Sequence, residues 1–183
     1  GKDLYSLPWF VVVGESGSGK TEAIRRSEIG FPDKLQQFWQ GSGGTMSMHW
    51  WFTNQSVILD TAGRLFVKDG DSDDGGDQWK EFLRMLCKNR PDCPINGLCL
   101  VIPATSLIPS KDSQSEASSL QHIDQKAGQI SKQMEVLQSE LGIRFPVYVM
   151  ITKTDKLLGF REFFDHVDSA EERFQMLGWS NPG

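Results

Sequence analysis

The chain has 183 residues, of which 38% are hydrophobic and 23% charged, a length and composition that fit one globular domain and exclude a disordered tail or a fibre. Its formal net charge of −5 argues against binding to a nucleic-acid backbone, and no run reaches the roughly 18 apolar residues of a membrane span, so we expect a soluble chain that does not bind nucleic acid. We also expect a single domain over residues 1–183, cut from a longer protein, with three free cysteine thiols.

The first predicted strand leads directly into a glycine-rich loop and a helix. Trp9–Val13 is a short β-branched run typical of a buried strand, and Lys20–Arg26 is a helix-forming segment. Between them, the sequence matches the phosphate-loop pattern G-x-x-x-x-G-K-[ST] at every fixed position. The nucleotide-binding candidates in this segment are Gly14, Glu15, Ser16, Gly17, Ser18, Gly19, Lys20, Thr21 and Glu22.

Two side chains of this loop have distinct predicted roles. Lys20 would reach the β- and γ-phosphates of a nucleotide, and the Thr21 hydroxyl would bind Mg²⁺. The alternative is a glycine-rich turn with an incidental lysine. The strand before the loop and the helix after it favour the phosphate loop.

A hairpin follows, with a candidate sensing loop before it. Met46–Phe52 alternates in hydrophobicity and Ser56–Asp60 is apolar up to its last residue, so the short connection between them predicts an antiparallel pair. Just before this pair, Gly43 and Gly44 precede Thr45, in the place where nucleotide-sensing loops carry a threonine. We therefore predict that Thr45 contacts Mg²⁺ and the γ-phosphate, the alternative being an ordinary turn.

A second phosphate-directed motif ends the hairpin. The sequence from Asp60 to Gly63 reads D-T-A-G, so Asp60 is a candidate for the Mg²⁺ shell and the Gly63 N–H a candidate partner of the γ-phosphate. Ligands of open α/β sheets bind at the carboxyl ends of the strands, and both motifs lie at such ends. The acidic segment 69–77 does not fit a calcium loop, and we predict a solvated loop there.

The second half of the chain alternates between predicted helices and strands. We expect a helix over 79–89, a buried strand over 95–103, a polar loop over 110–119, a long helix over 120–141, a buried strand over 146–151 and a helix from 159. The apolar spacing of the long helix would also suit a coiled coil, but the alternation favours a helix packed on a sheet. This order predicts an α/β fold with a mostly parallel sheet, helices on both faces and one antiparallel hairpin strand.

The last predicted strand is followed by a candidate base-recognition element. Thr152, Lys153 and Asp155 fit the [N/T]-K-x-D pattern of GTP-binding proteins. A carboxylate at the last position can accept hydrogen bonds from guanine N1–H and the 2-amino group, and the lysine stem can cover the ring. A polar loop is the alternative.

Segments across nearly the whole chain add to these motifs. They are Leu4–Trp9, Gly43–Thr45, Trp50–Phe52, Asp60–Arg64, Arg90–Pro91, Asn96–Gly97, Arg144–Val149 and Gly159–Phe164. Together they resemble the IcmF/TssM proteins of bacterial secretion systems, and the motif order resembles a P-loop GTPase. The resemblance implies a three-layer sandwich of P-loop NTPase type. Ser16 and Glu22 depart from the family's usual loop without removing a phosphate-binding group.

The resemblance also implies a cellular location and a function. It implies a cytoplasmic domain of a large inner-membrane protein of the type VI secretion membrane complex, with other membrane-complex and baseplate proteins as partners. The implied function is Mg²⁺-dependent binding and slow hydrolysis of GTP or ATP, as a switch or energy source, with catalytic candidates Lys20, Thr45, Asp60 and Gly63. The base-holding motif after the final helix of GTPases is not visible, so the choice between GTP and ATP stays open.

Two other functions are alternatives to this NTPase. One is a module that holds nucleotide for structural or docking purposes without significant hydrolysis. The other is a small-molecule or nucleotide kinase, which needs an arginine-rich lid, whereas the segment 110–143 contains no arginine. Arg64 stands where Ras-like GTPases have a water-orienting glutamine, and a guanidinium cannot accept a hydrogen bond from water. We therefore predict slow hydrolysis.

Overall fold

The computed structural model describes residues 4–27, 29–30, 48–66, 74–108 and 116–169. The strands are β1 (Trp9–Val13), β2 (Met48–Phe52), β3 (Val57–Thr61), β4 (Gly97–Pro103) and β5 (Val147–Thr152). The helices are α1 (Lys20–Arg26), α2 (Gly63–Phe66), α3 (Asp74–Asn89), α4 (Glu116–Leu141) and α5 (Phe160–Asp165). Short 3₁₀ turns lie at Ala104–Ser106 and Thr154–Lys156.

The five described strands form one sheet in the order β2-β3-β1-β4-β5. β1 pairs in parallel with β3 and β4, β4 pairs in parallel with β5, and β2 pairs antiparallel with β3. The predicted α/β class, the mostly parallel sheet and the single antiparallel hairpin strand are thus confirmed. Because β1 lies at the centre, the loop that follows it lies between the carboxyl ends of β3 and β4.

Apolar side chains are buried on both faces of the sheet. On one face, Val11 and Leu98 belong to the main core, together with the α3 and α4 residues Leu83 and Leu137. On the other face, a smaller cluster joins Ile24 of α1 to side chains of the strands, namely Val12, Trp51, Ile58 and Val101. Strand alternation explains the division, since successive β1 residues point to opposite faces.

A buried arginine and an asparagine fix the start of β1. The Arg90 guanidinium lies over the rings of Trp9 and Tyr5, 4.5 and 4.9 Å from their centroids. The Trp9 N–H donates to Oδ1 of Asn96 at 2.8 Å. These four residues all belong to the segments that carry the resemblance to IcmF/TssM proteins. They meet at the amino end of β1, where cation–π contact stabilises the packing.

Two predicted loops are shorter than the sequence indicated. α3 begins at Asp74, inside the predicted loop 69–77, and α4 begins at Glu116, inside the predicted loop 110–119. The remaining parts of both loops, 69–73 and 110–115, lie outside the described residues. Acidic residues are favourable in the first turn of a helix, because they interact with its positive end, so polar composition alone did not separate loop from helix start.

The prediction of a strand over residues 146–151 is confirmed, but the prediction that this strand is buried is wrong. β5 is an edge of the described sheet, and its residues from Val147 to Ile151 are 40–59% exposed. An uninterrupted apolar run is typical of a central parallel strand, but it does not state which strand lies at the edge. None of the described helices is long and apolar enough to cross a membrane.

The apolar residues of β2 and α4 are only partly buried. Met48 and Trp50 pack against the main core as predicted, whereas Phe52 is 44% exposed and Trp51 is buried on the opposite face. In α4, Leu137 and Leu141 are buried, but Leu120 is 64% exposed. α4 packs beside α3 and the sheet, as predicted, through its carboxyl-terminal half.

Leu83 and Leu120 offer a test of this packing. Leu83→Ala should lower the free energy of unfolding by about 2–5 kcal/mol, because the side chain is fully buried and its loss leaves a cavity. The matched control Leu120→Ala should change it by less than about 0.5 kcal/mol. Urea unfolding monitored by tryptophan fluorescence measures both values, and equal losses would contradict the burial described here.

Candidate nucleotide site

The loop between β1 and α1 needs glycine at its first position. Gly14 has a φ of +149°, and a Cβ placed on it would lie 2.2 Å from the carbonyl oxygen of Val101 in β4. The loop backbone therefore runs against the neighbouring strand at a distance that no other residue permits.

The Lys20 side chain crosses this loop on its inner side. Only 6% of Lys20 is exposed, and its ammonium donates to the carbonyl oxygens of Gly14 and Glu15 at 2.9 and 2.8 Å. Burial lowers the pKa of Lys20, while the charges of Asp60 and Glu15 act in the opposite direction. The loop thus holds a buried cation through uncharged carbonyl groups. A negatively charged phosphate oxygen would stabilise the ammonium more strongly than these carbonyls do.

Thr21 and Asp60, the two predicted metal ligands within the described residues, are in contact. The Thr21 hydroxyl donates to Oδ2 of Asp60 at 2.6 Å. Asp60 is fully buried, and burial raises its pKa although the Thr21 hydrogen bond, the Lys20 charge and the Trp51 indole favour the charged form. Its second oxygen, Oδ1, is also buried. The carboxylate thus has one oxygen on the Thr21 hydroxyl and a second, buried oxygen beside it.

The turn after β3 contacts the loop between β1 and α1 directly. A Cβ on Gly63 would lie 2.2 Å from the backbone nitrogen of Ser16 and 2.5 Å from its Cα. Two residues earlier, at the end of β3, the Thr61 hydroxyl donates to the carbonyl oxygen of Val12 at 2.8 Å and joins β3 to β1. The D-T-A-G segment and the loop from Gly14 are thus in direct contact.

The T-K-x-D segment reaches the same loop through its first residue. The Thr152 hydroxyl donates to the carbonyl oxygen of Ser18 at 2.6 Å. Lys153 adopts the left-handed conformation, with a φ of +55°, and leads into the turn that carries Asp155. The T-K-x-D segment therefore begins in direct contact with the loop after β1.

Asp155 is an exposed carboxylate held by two cations. Arg161 donates to its Oδ2 at 3.1 Å, and the Lys156 ammonium lies 3.5 Å from the same oxygen. Desolvation acts to raise the pKa of Asp155, but the Arg161 hydrogen bond and the Lys156 charge outweigh it and hold the pKa below its ordinary value. Asp155 is therefore an ionised acceptor.

The structure does not place every predicted site residue beside the loop after β1. Glu22 pairs with Arg26 on the exposed side of α1. Thr45 and the side chain of Arg64 lie outside the described part of the structure.

Sequence reasoning missed one partner of the loop. Lys126 of α4 donates to Oε2 of Glu15 at 2.7 Å. The two residues are 111 positions apart, and no motif or periodicity connects them.

Comparisons with known proteins gave a matching family profile, a sequence relative and a structural neighbour. The profile of the IcmF-related N-terminal domain matches residues 72–183. The type VI secretion system component TssM1 of Pseudomonas aeruginosa strain PAO1 is 39% identical over 180 residues, which is 97% of this chain and 16% of that protein. The crystal structure of a probable GTP-binding protein, engB, aligns with a TM-score of 0.47 at 18% identity, over 91% of this chain and 80% of the other.

The contact at Gly63 yields a stability test. Gly63→Ala should lower the free energy of unfolding by about 1–3 kcal/mol, because its methyl group would displace the backbone of Ser16. Gly128→Ala is the control, since a Cβ there meets nothing within 4 Å and alanine favours the α4 helix. Urea unfolding measures both, and a Gly63→Ala chain as stable as the wild type would refute the close approach.

Proposed function

The chain belongs to the IcmF/TssM family, and we propose that it binds the triphosphate of GTP or ATP together with Mg²⁺ and hydrolyses it slowly. One observation carries the proposal. Lys20, the Thr21–Asp60 pair and Gly63 converge on one loop at the carboxyl end of the central strands. Open α/β sheets bind their ligands at that position, and the residue types are those that phosphates and Mg²⁺ require.

Lys20 would bind the β- and γ-phosphates. Its ammonium is already desolvated and held toward the inner side of the loop by two carbonyl oxygens. An incoming triphosphate supplies the negative charge that these carbonyls lack, so the cost of burying the ammonium would be offset in the bound state. Desolvated cations of this kind stabilise negative charge more strongly than a cation in water does.

Thr21 and Asp60 fit a Mg²⁺ ion. Mg²⁺ prefers hard oxygen ligands and uses one or two protein groups beside the phosphates. The hydroxyl of Thr21 and the buried Oδ1 of Asp60 supply such oxygens within one hydrogen-bonded pair. When bound there, Mg²⁺ would neutralise charge on the β- and γ-phosphate oxygens. We propose Thr45 as a further ligand from the sequence motif.

Gly63 and Arg64 would set the rate. The Gly63 backbone lies against the loop, which supports our proposal that its N–H meets the γ-phosphate. Arg64 follows, and a guanidinium has no acceptor with which to orient water. Hydrolysis should therefore remain near the unassisted range of about 10⁻⁴ to 10⁻² s⁻¹. An arginine at position 64, where Ras-like GTPases have a water-orienting glutamine, also favours a second candidate function. This is a nucleotide-binding docking module without significant hydrolysis.

Asp155 is the proposed guanine reader, with Thr152 and Lys153 placing it. It is an ionised acceptor three residues after the threonine that contacts the phosphate loop. Arg161 occupies Oδ2 in this state, so a guanine would exchange with that guanidinium or share the carboxylate with it.

The proposed setting is the type VI secretion membrane complex, in which nucleotide turnover would act as a switch or energy source. The support is the relative named as a type VI secretion component, of whose length the chain spans 16%. We propose a position at the cytoplasmic face of the bacterial inner membrane, within a membrane-anchored parent protein. Other membrane-complex and baseplate proteins are the proposed partners.

Lys20→Ala tests the phosphate site. It should weaken binding of the Mg²⁺ triphosphate roughly tenfold to a hundredfold, because it removes a charge-assisted contact worth about 1.5–3 kcal/mol. The exposed Lys88→Ala is the control for lost charge. Calorimetric titration measures affinity, and single-turnover hydrolysis by the wild type separates a slow NTPase from a docking module. Undiminished affinity in Lys20→Ala would refute the assignment.

Asp155→Asn tests base choice. An amide offers guanine a donor where an acceptor is needed, so GTP should bind more weakly and xanthosine triphosphate more tightly than in the wild type. Asp165→Asn, which removes an exposed carboxylate of α5, is the control. Competition binding with GTP, ATP and xanthosine triphosphate gives the preference. A wild-type chain that binds ATP as well as GTP, with no response to Asp155→Asn, would contradict guanine recognition.

A further inference from the structure

The two halves of α4 are held to the rest of the protein in different ways. In its carboxyl-terminal half, Leu137 and Leu141 are buried in the main core, and Glu140 pairs with Arg84 of α3. The amino-terminal half is largely exposed from residue 120 to residue 129. Within that half, Lys126 is half-buried and reaches the loop after β1 through its ion pair with Glu15.

This ion pair is shielded and short. Its N–O distance is 2.7 Å, and the Lys126 and Glu15 side chains are 17% and 22% exposed. By contrast, Arg84 in the pair at the other end of α4 is 67% exposed. A shielded pair of this geometry is screened less by salt and contributes more than an exposed one.

Glu15 places a negative charge inside a loop that is proposed to enclose phosphates. The charge reaches the site, since it acts on the pKa of Lys20. A free carboxylate at that position would repel a triphosphate, and the repulsion is strong where water is excluded. The Lys126 ammonium opposes that repulsion by pairing with the carboxylate at hydrogen-bond distance.

We propose that Lys126 is a positioning residue of the phosphate loop, which fixes Glu15 against α4 and cancels its charge so that a triphosphate can bind. The inference rests on the proposed nucleotide binding and adds a partner that no sequence motif indicates. It also makes α4 a part of the site, because the loop and the amino-terminal half of the helix are joined by this pair.

Lys126 acts through Glu15 and not on the phosphates. The space between the loop and α4, lined by Gly14, Glu15, Lys126 and Ile130 among others, has a volume of about 10 Å³. That volume holds about one water molecule and no phosphate group. Lys126 therefore contacts the loop through the Glu15 carboxylate.

A double-mutant cycle tests the proposal in the intact chain, with a Mg²⁺-bound, non-hydrolysable GTP analogue and its ATP counterpart as probes. Lys126→Met should weaken binding roughly fivefold to thirtyfold, because one charge-assisted contact is lost and Glu15 is left unpaired. Adding Glu15→Gln should restore the affinity to within about threefold of the wild type, since the repelling charge is then gone. Lys132→Met, which removes an exposed lysine of the same helix, should change nothing.

Each outcome has a distinct meaning. A wild-type chain that binds neither probe overturns the proposed function and this inference with it. Wild-type binding with unchanged affinity in Lys126→Met overturns the inference alone. If the double variant stays as weak as Lys126→Met, the charge of Glu15 is not what Lys126 controls, and the inference also fails. Should Lys126→Met not fold, Glu15→Gln by itself must bind at least as tightly as the wild type, and a tenfold loss would overturn the inference.

Discussion

The buried ammonium group of Lys20 is the constraint on which the rest of the site depends. Burying a cation is unfavourable unless it is paired. Here its direct partners are two backbone carbonyls and, at 3.4 Å, the Ser18 hydroxyl, with the carboxylates of Asp60 and Glu15 acting from further away. Asp60 is itself buried with a raised pKa. Two desolvated charged groups at one loop are costly for stability, and such costs are typical of sites that bind charged ligands.

The topology of the sheet explains why these groups meet. β1 lies between β3 and β4, so its carboxyl end has neighbours on both sides. Thr61 joins β3 to β1, and Thr152 at the end of β5 joins the T-K-x-D segment to the loop. Parallel pairing and two hydroxyl hydrogen bonds thereby bring three motifs that are far apart in the chain to the carboxyl ends of the strands.

Local patterns allowed much of this arrangement to be predicted. The β-branched run of β1, the glycine loop and the short connection between β2 and β3 each depend on neighbouring residues, and each was located correctly. The edge position of β5 and the pairing of Glu15 with Lys126 depend on contacts between distant segments, which no local pattern encodes. The starts of α3 and α4 were missed because acidic, polar residues suit both a loop and the first turn of a helix.

We propose that the loop from Gly14 to Thr21 binds a triphosphate through Lys20 and a metal held by Thr21 and Asp60. The most direct measurement is calorimetric titration of the wild-type chain with non-hydrolysable GTP and ATP analogues, in Mg²⁺ and in EDTA. We expect saturable binding at one site per chain in Mg²⁺, weakened about tenfold or more in EDTA. Failure to bind either analogue in Mg²⁺, or equal affinity with and without the metal, would contradict the account.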